Sequence, residues 1–143
     1  LFSVSGQDTA LIKGMIKDDL FKNADKISEE SQSLTEIQKL MLYQDCKQDG
    51  WGGFAGNLLL GAGIGSFIQG DNSAGWETLI FTIVGLGAVL LSPKISNDNV
   101  RLGAITAGYS LLAGVRIGSL IAPFSYANSY NKKLKEVLHY YEP

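Results

Sequence analysis

Residues 50–131 carry only six charged side chains in 82 positions, against fifteen in the 42 residues of 8–49 and five in the last 12. This asymmetry constrains the fold more than any motif. Its uncharged runs cover residues 50–70, 78–93, 102–115 and 117–131. A helix needs about 20 mostly apolar residues to cross a bilayer core. The spacing therefore predicts three spans, at about 51–69, 74–92 and 101–122, the last two uncharged runs being joined through Arg116, with Pro123 ending or kinking the third helix. Fifteen of the 17 glycines also lie between Gly50 and Gly118. Glycine costs roughly 0.8–1 kcal/mol relative to alanine inside an aqueous helix, yet it is frequent in membrane helices. The alternative, a soluble protein whose glycine-rich helices are buried on all sides, asks a small domain to surround three apolar helices with polar ones.

The flanks read differently. Residues 1–6, LFSVSG, resemble the tail of a secretory signal, with small Val4 and Gly6 at the spacing a signal peptidase accepts and Gln7 first after cleavage. Residues 7–49 form an amphipathic helical region. Leu11, Ile12, Met15, Ile16 and Leu20 recur at helical spacing between 9 and 26, and Ser33 with Glu36 makes a capping-box pattern ahead of Leu34, Ile37, Leu40 and Met41. Residues 132–143 read as a basic, polar tail. Gly70, Asp71, Asn72 and Ser73 form a polar turn between the first two spans.

Within the apolar region a few residues stand out. An ionised side chain in a span is costly unless it meets water, a counter-charge or the interface. Arg116 lies ~22 Å along a helix from Arg101, and Glu77 ~24 Å from Pro93, at similar depth. An ion pair of Arg116 with Glu77, or failing that Asp71, is expected. Thr106, Tyr109 and Ser119 on the third helix, and Thr78 and Thr82 on the second, form polar stripes that either line a wet path or pack together. Gly61 with Gly65, and Gly114 with Gly118, have the small-xxx-small spacing that lets membrane helices approach closely. Trp51, Trp76, Tyr126 and Tyr130 sit where interfacial aromatics belong.

Several classes of function fall away. A formal charge of −2 supplies no electrostatic footprint for nucleic acid. One His and one Cys cannot form the usual zinc ligand sets, and a lone Cys46 excludes an intrachain disulfide. GAGIGSF at Gly61 to Phe67 has neither the dinucleotide spacing nor the P-loop ending, so no cofactor is expected. His139 lies beside Tyr140 and Tyr141 with no nucleophile in its sequence context, and no serine sits in a recognisable elbow, so an enzyme is not expected.

NLLLGAGIGSFIQGD at 57–71, APFSYANSYNKKLKEVL at 122–138, and LYQDCKQDG before the first span resemble the thirteen-kilodalton integral outer-membrane protein family of Lyme-disease spirochaetes. The resemblance covers roughly residues 39–138 and excludes the charged stretch at 8–33. It implies an exported, multi-pass outer-membrane protein, surface-exposed in part, with porin activity. The expectation is an all-α membrane protein, three transmembrane helices in a glycine-rich bundle preceded by amphipathic helices. Such a chain would pass ions or small solutes as a homo-oligomer, in a lipid bilayer and alongside other outer-membrane proteins. Three packed helices leave no lumen, so the path would form between protomers or with another protein. The rival is a non-conducting helical membrane scaffold or surface-interaction protein of the same fold.

Overall fold

The computed structural model describes residues 4–141, and among them the regular structure is all helical. The order is α1 (Val4–Asp19), α2 (Ala24–Ser31), α3 (Glu36–Cys46), α4 (Trp51–Leu59), α5 (Ile64–Gln69), α6 (Asn72–Leu91), a short 3-10 turn (Ser92–Lys94) and α7 (Asp98–Val137). Of the expected signal remnant, residues 1–3 lie outside the described residues and Val4 opens α1. Two compact units result, Leu1–Gln48 with Ala127–Pro143, and Asp49–Tyr126.

The first unit has the core of an ordinary water-soluble helical domain. Ile12 and Ile16 of α1, Leu20 in the turn after it, Ile27 of α2, Leu42 of α3, and Leu134 and Leu138 near the chain's end are each at most 2% exposed. The basic tail expected at 132–143 is corrected here. Ala127, Tyr130, Leu134 and Val137 recur every three or four residues, so α7 continues to Val137 with one apolar face buried. Side chains lock that end in place. Asn131 exchanges two hydrogen bonds with the backbone of Gln48, at 2.8 and 2.7 Å, and Ser31 Oγ donates to Val137 O at 2.7 Å. The rings of Tyr43 and Tyr140 lie 5.4 Å apart, and Lys135 Nζ is 5.1 Å from the Tyr43 ring centre.

Two local boundaries differ from the sequence reading. The apolar repeat of 9–26 breaks after Asp19, whose carboxylate accepts from the amides of Phe21 and Lys22. The capping box of α3 is made by Thr35 and Gln38 rather than Ser33 and Glu36, because Ser33 Oγ turns back to Glu30 O at 2.9 Å and closes the end of α2. Lys13 Nζ pairs with Asp45 at 2.6 Å and ties α1 to α3, holding the Asp45 carboxyl below and the Lys13 ammonium above their ordinary ranges. Burial pushes the Cys46 thiol up.

In the second unit α6 matches the expected second span closely. Among the described residues two helices are long and apolar enough to cross a membrane, one running Asn72–Lys94 and the other Asp98–Val137. Only 17% and 11% of their most apolar windows are buried, whereas the core helix of a soluble fold is mostly buried. Pro123 stays inside α7 without ending it. The first expected span is overturned. Residues 51–69 form two short antiparallel helices, and Gln69 Nε2 donates to Asp49 O at 3.1 Å. A continuous helix would separate those residues by about 30 Å. Gly61, Ala62 and Gly63 take φ of 70°, 48° and 80°, a left-handed run that no α-helix tolerates and that glycine at two of the three positions makes accessible.

Candidate functional site

Breaking a helix in an apolar region leaves backbone groups without partners. The polar side chains of the second unit converge on those groups. α5 is preceded by Gly63, which has no side chain with which to cap it. The cap comes from α4 instead: Asn57 Oδ1 accepts from the amides of Gly65 at 2.8 Å and Ser66 at 3.4 Å. A second break lies in α7, where Pro123 has no N–H to offer the carbonyl one turn earlier, that of Ser119. Asn57 Nδ2 supplies that donor at 2.6 Å and also reaches Ser66 Oγ at 3.1 Å. One fully buried amide thus completes two helices that the sequence interrupts.

The third break is the end of α4. Arg116 donates from Nη1 to Asn57 O and from Nη2 to Leu58 O at 2.6 Å, a cation on the negative end of a helix. This corrects the expected ion pair, since Arg116 pairs with neither Glu77 nor Asp71. Asp71 caps α6 instead, accepting from Ala74 N at 3.1 Å. Glu77 is exposed and lines a cleft of 230 Å³ between α6 and α7, with Thr78, Phe81, Gly118 and Ala122 among its walls. Glu77 and Arg116 form no ion pair among the described residues, because Arg116 is turned toward the α4 carbonyls.

The stripes divide as well. Thr78 and Ser119 are buried, Thr82 Oγ1 donates to Thr78 O at 2.7 Å, and Thr106 and Tyr109 are exposed. Of the expected packing glycines, Gly65 holds the hairpin together. A Cβ there would strike the Gly53 carbonyl and Asn57. Gly61 belongs to the left-handed turn and not to a helix, while Gly114 and Gly118 have nothing within reach of a Cβ. The close approach of α6 and α7 uses Gly85 and Gly108, which the paired-glycine spacing did not mark because neither has a second glycine four residues away. A Cβ on Gly108 would come within 2.9 Å of Gly85 O.

Trp51 and Trp76 are exposed and stack edge-on against Phe124 at 5.2 Å and Phe67 at 5.6 Å. The Tyr126 hydroxyl lies near Gly70. Tyr130, expected as an interfacial anchor, is buried in the first unit with its ring 6.2 Å from that of Phe21. That unit also brings Ser28 Oγ within 2.9 Å of His139 Nε2, a contact across 111 residues that no sequence context announces.

A hydrophobic-surfaced helical unit held by internal polar caps is what a lipid solvent selects. The model of the family described as Borrelia membrane protein P13 matches residues 40–141. The chain belongs to the Borrelia P13 membrane protein family. No curated protein and no solved structure gives a significant match. The match takes in all of α4 to α7 and starts inside α3, so the hairpin, Asn57, Arg116 and Pro123 all belong to the P13-type region, while α1 and α2 lie outside it.

Proposed function

We propose that this chain is an outer-membrane channel-forming protein, porin-like, that passes ions or small solutes as an oligomer. The observation that carries the reading is Arg116. It lies ten residues, ~15 Å, from Tyr126 along α7, well inside an apolar stretch, and it is exposed. Its partners are two neutral carbonyls, so its charge is not cancelled. A guanidinium keeps its proton, and lipid solvates it poorly. Water or a second protomer beside it resolves the cost. The same holds for the irregular backbone at 60–63, since such backbone at membrane depth is tolerated where protein or a water-filled path covers it. Direct contact of α6 with α7 at Gly85 and Gly108 leaves no lumen between them, which supports a path between copies. A positive rim of this kind favours anions.

Planar-bilayer recordings of purified protein, against a blank from the same detergent preparation, test this. Wild type is expected to conduct, Arg116→Gln to shift the reversal potential toward cation permeation, and Arg116→Lys to keep the wild-type preference. Identical selectivity in all three removes Arg116 from the path. Blank-level currents from folded, membrane-inserted wild type favour the rival, a non-conducting scaffold whose stripes are helix contacts.

A further inference from the structure

We infer that residues 49–70 enter the bilayer from one side and leave by the same side, so that the chain crosses only twice and its two ends share a compartment. The inference rests on the membrane reading above and not on conduction. Parity supplies the first argument. Residues before Asp49 and after Tyr126 fold into one unit with a charged surface and a common core. Such a unit occupies one side of a membrane, so the number of crossings between its two halves is even. Three complete spans would part Ser31 from Val137, and Gln48 from Asn131, which are joined by hydrogen bonds of 2.7 to 2.8 Å.

The hairpin supplies the second argument. With nine residues, α4 rises ~14 Å, about half of a ~30 Å hydrocarbon core. Gln69 then returns to Asp49. At the tip, Leu59 and Leu60 are 81% and 62% exposed, the surface of an element that dips into acyl chains. The aromatic side chains agree. Trp51 packs on Phe124, and Trp76 on Phe67, two residues before Gln69. Both tryptophans thus sit at the end of the unit where Asp49, Gln69 and Pro123 meet, as one interfacial belt requires. In a three-span chain they would mark opposite faces. α6, with 20 residues and ~30 Å of rise, makes the first full crossing, and α7 returns.

The test uses sealed vesicles captured through a tag after the last residue, which keeps only those with that end outward. In a Cys46→Ala background, single cysteines at the exposed positions Gln44→Cys, Asn72→Cys and Ser96→Cys are treated with a polymer-coupled maleimide too large for a pore. Gln44→Cys and Asn72→Cys are expected to label fully without detergent, and Ser96→Cys only after detergent. If Gln44→Cys is protected together with Ser96→Cys, the chain crosses three times and the inference is overturned. If all three label without detergent, the membrane reading itself fails. Should the cysteine variants misfold, an epitope at the N-terminus of the otherwise wild-type chain decides the matter. Antibody binding to intact captured vesicles supports two crossings, and binding only after detergent overturns them.

Discussion

The two units solve the same problem, packing helices, with opposite inventories. Every buried hydrophobic residue among the described residues lies in the first unit, from Ile12 to Leu138. In the second, the buried side chains include Asn57, Ser66, Thr78, Ser92 and Ser119, while Leu59, Ile68, Ile83 and Leu90 stand outside. Water drives the first arrangement through apolar burial. In lipid that drive vanishes between helices, and close glycine contacts with internal hydrogen bonds take its place. The polar residues of the second unit are therefore best understood as partners for broken backbone before any other role is assigned to them.

The comparison can be broken most severely at Asn57. Asn57→Leu keeps the volume but orphans Ser119 O and the Gly65 amide in a buried site, at about 1–3 kcal/mol per group, so a loss of about 4 kcal/mol is expected. Both tryptophans lie in the second unit, so their fluorescence in a micellar unfolding titration reads it. A change below about 1 kcal/mol would show that the amide does not hold the two breaks.

Leu134→Ala in the first unit should cost about 3 kcal/mol by cavity formation, and Leu59→Ala should cost the second unit almost nothing while weakening its partition into vesicles. Cys46 is a built-in reporter for the first unit, because burial of the thiol keeps it protonated and shielded until the unit opens. Accelerated alkylation of Cys46 in Leu134→Ala but not in Leu59→Ala is the expected result. Equal effects of the two substitutions would mean that the apolar surface of the second unit is covered within the chain. A third, smaller contrast separates the glycines. Gly65→Ala should cost about 1–3 kcal/mol through collision with the Gly53 carbonyl, whereas Gly114→Ala should leave the monomer's stability unchanged.

Much of this division was legible. The charge asymmetry marked the unit boundary near residue 49, and α6 begins and ends within two residues of the expected span. The hairpin was not legible from hydropathy, because 21 uncharged residues satisfy the length rule whether they cross or turn back. Its signals were Asn57, an amide in the middle of an apolar run, and the Gly61-Ala62-Gly63 cluster, which glycine-tolerant membrane helices made easy to read as packing. Arg116 stood out as the one charge between Arg101 and Lys132. Its partner did not, since carbonyl oxygens at a helix end leave no trace in the sequence once the break itself is missed. Leu134, Val137 and Leu138 were passed over because three nearby lysines made the segment look like a solvated tail.

The gentlest way to sharpen the contrast is pH, since the Lys13–Asp45 pair belongs to the first unit alone. The folded Asp45 carboxyl titrates below its unfolded value, so its contribution is complete above the ordinary carboxylate range and is lost as pH falls through the lowered folded value. The folded Lys13 ammonium titrates above its unfolded value, so its contribution is complete below the ordinary lysine range and is lost as pH rises through the raised one. Between those limits the pair holds α1 on α3 at constant strength. Both side chains are exposed, and exposed pairs are weak and screened by salt, so the effect should be the smallest of these. The first unit should lose slightly more stability on acidification in wild type than in Asp45→Asn, followed through Cys46 with a pyridyl disulfide that reacts at low pH. The difference should shrink in high salt, and the tryptophan signal of the second unit should not register the substitution at any pH. A matching shift in that signal would show that the two units unfold as one.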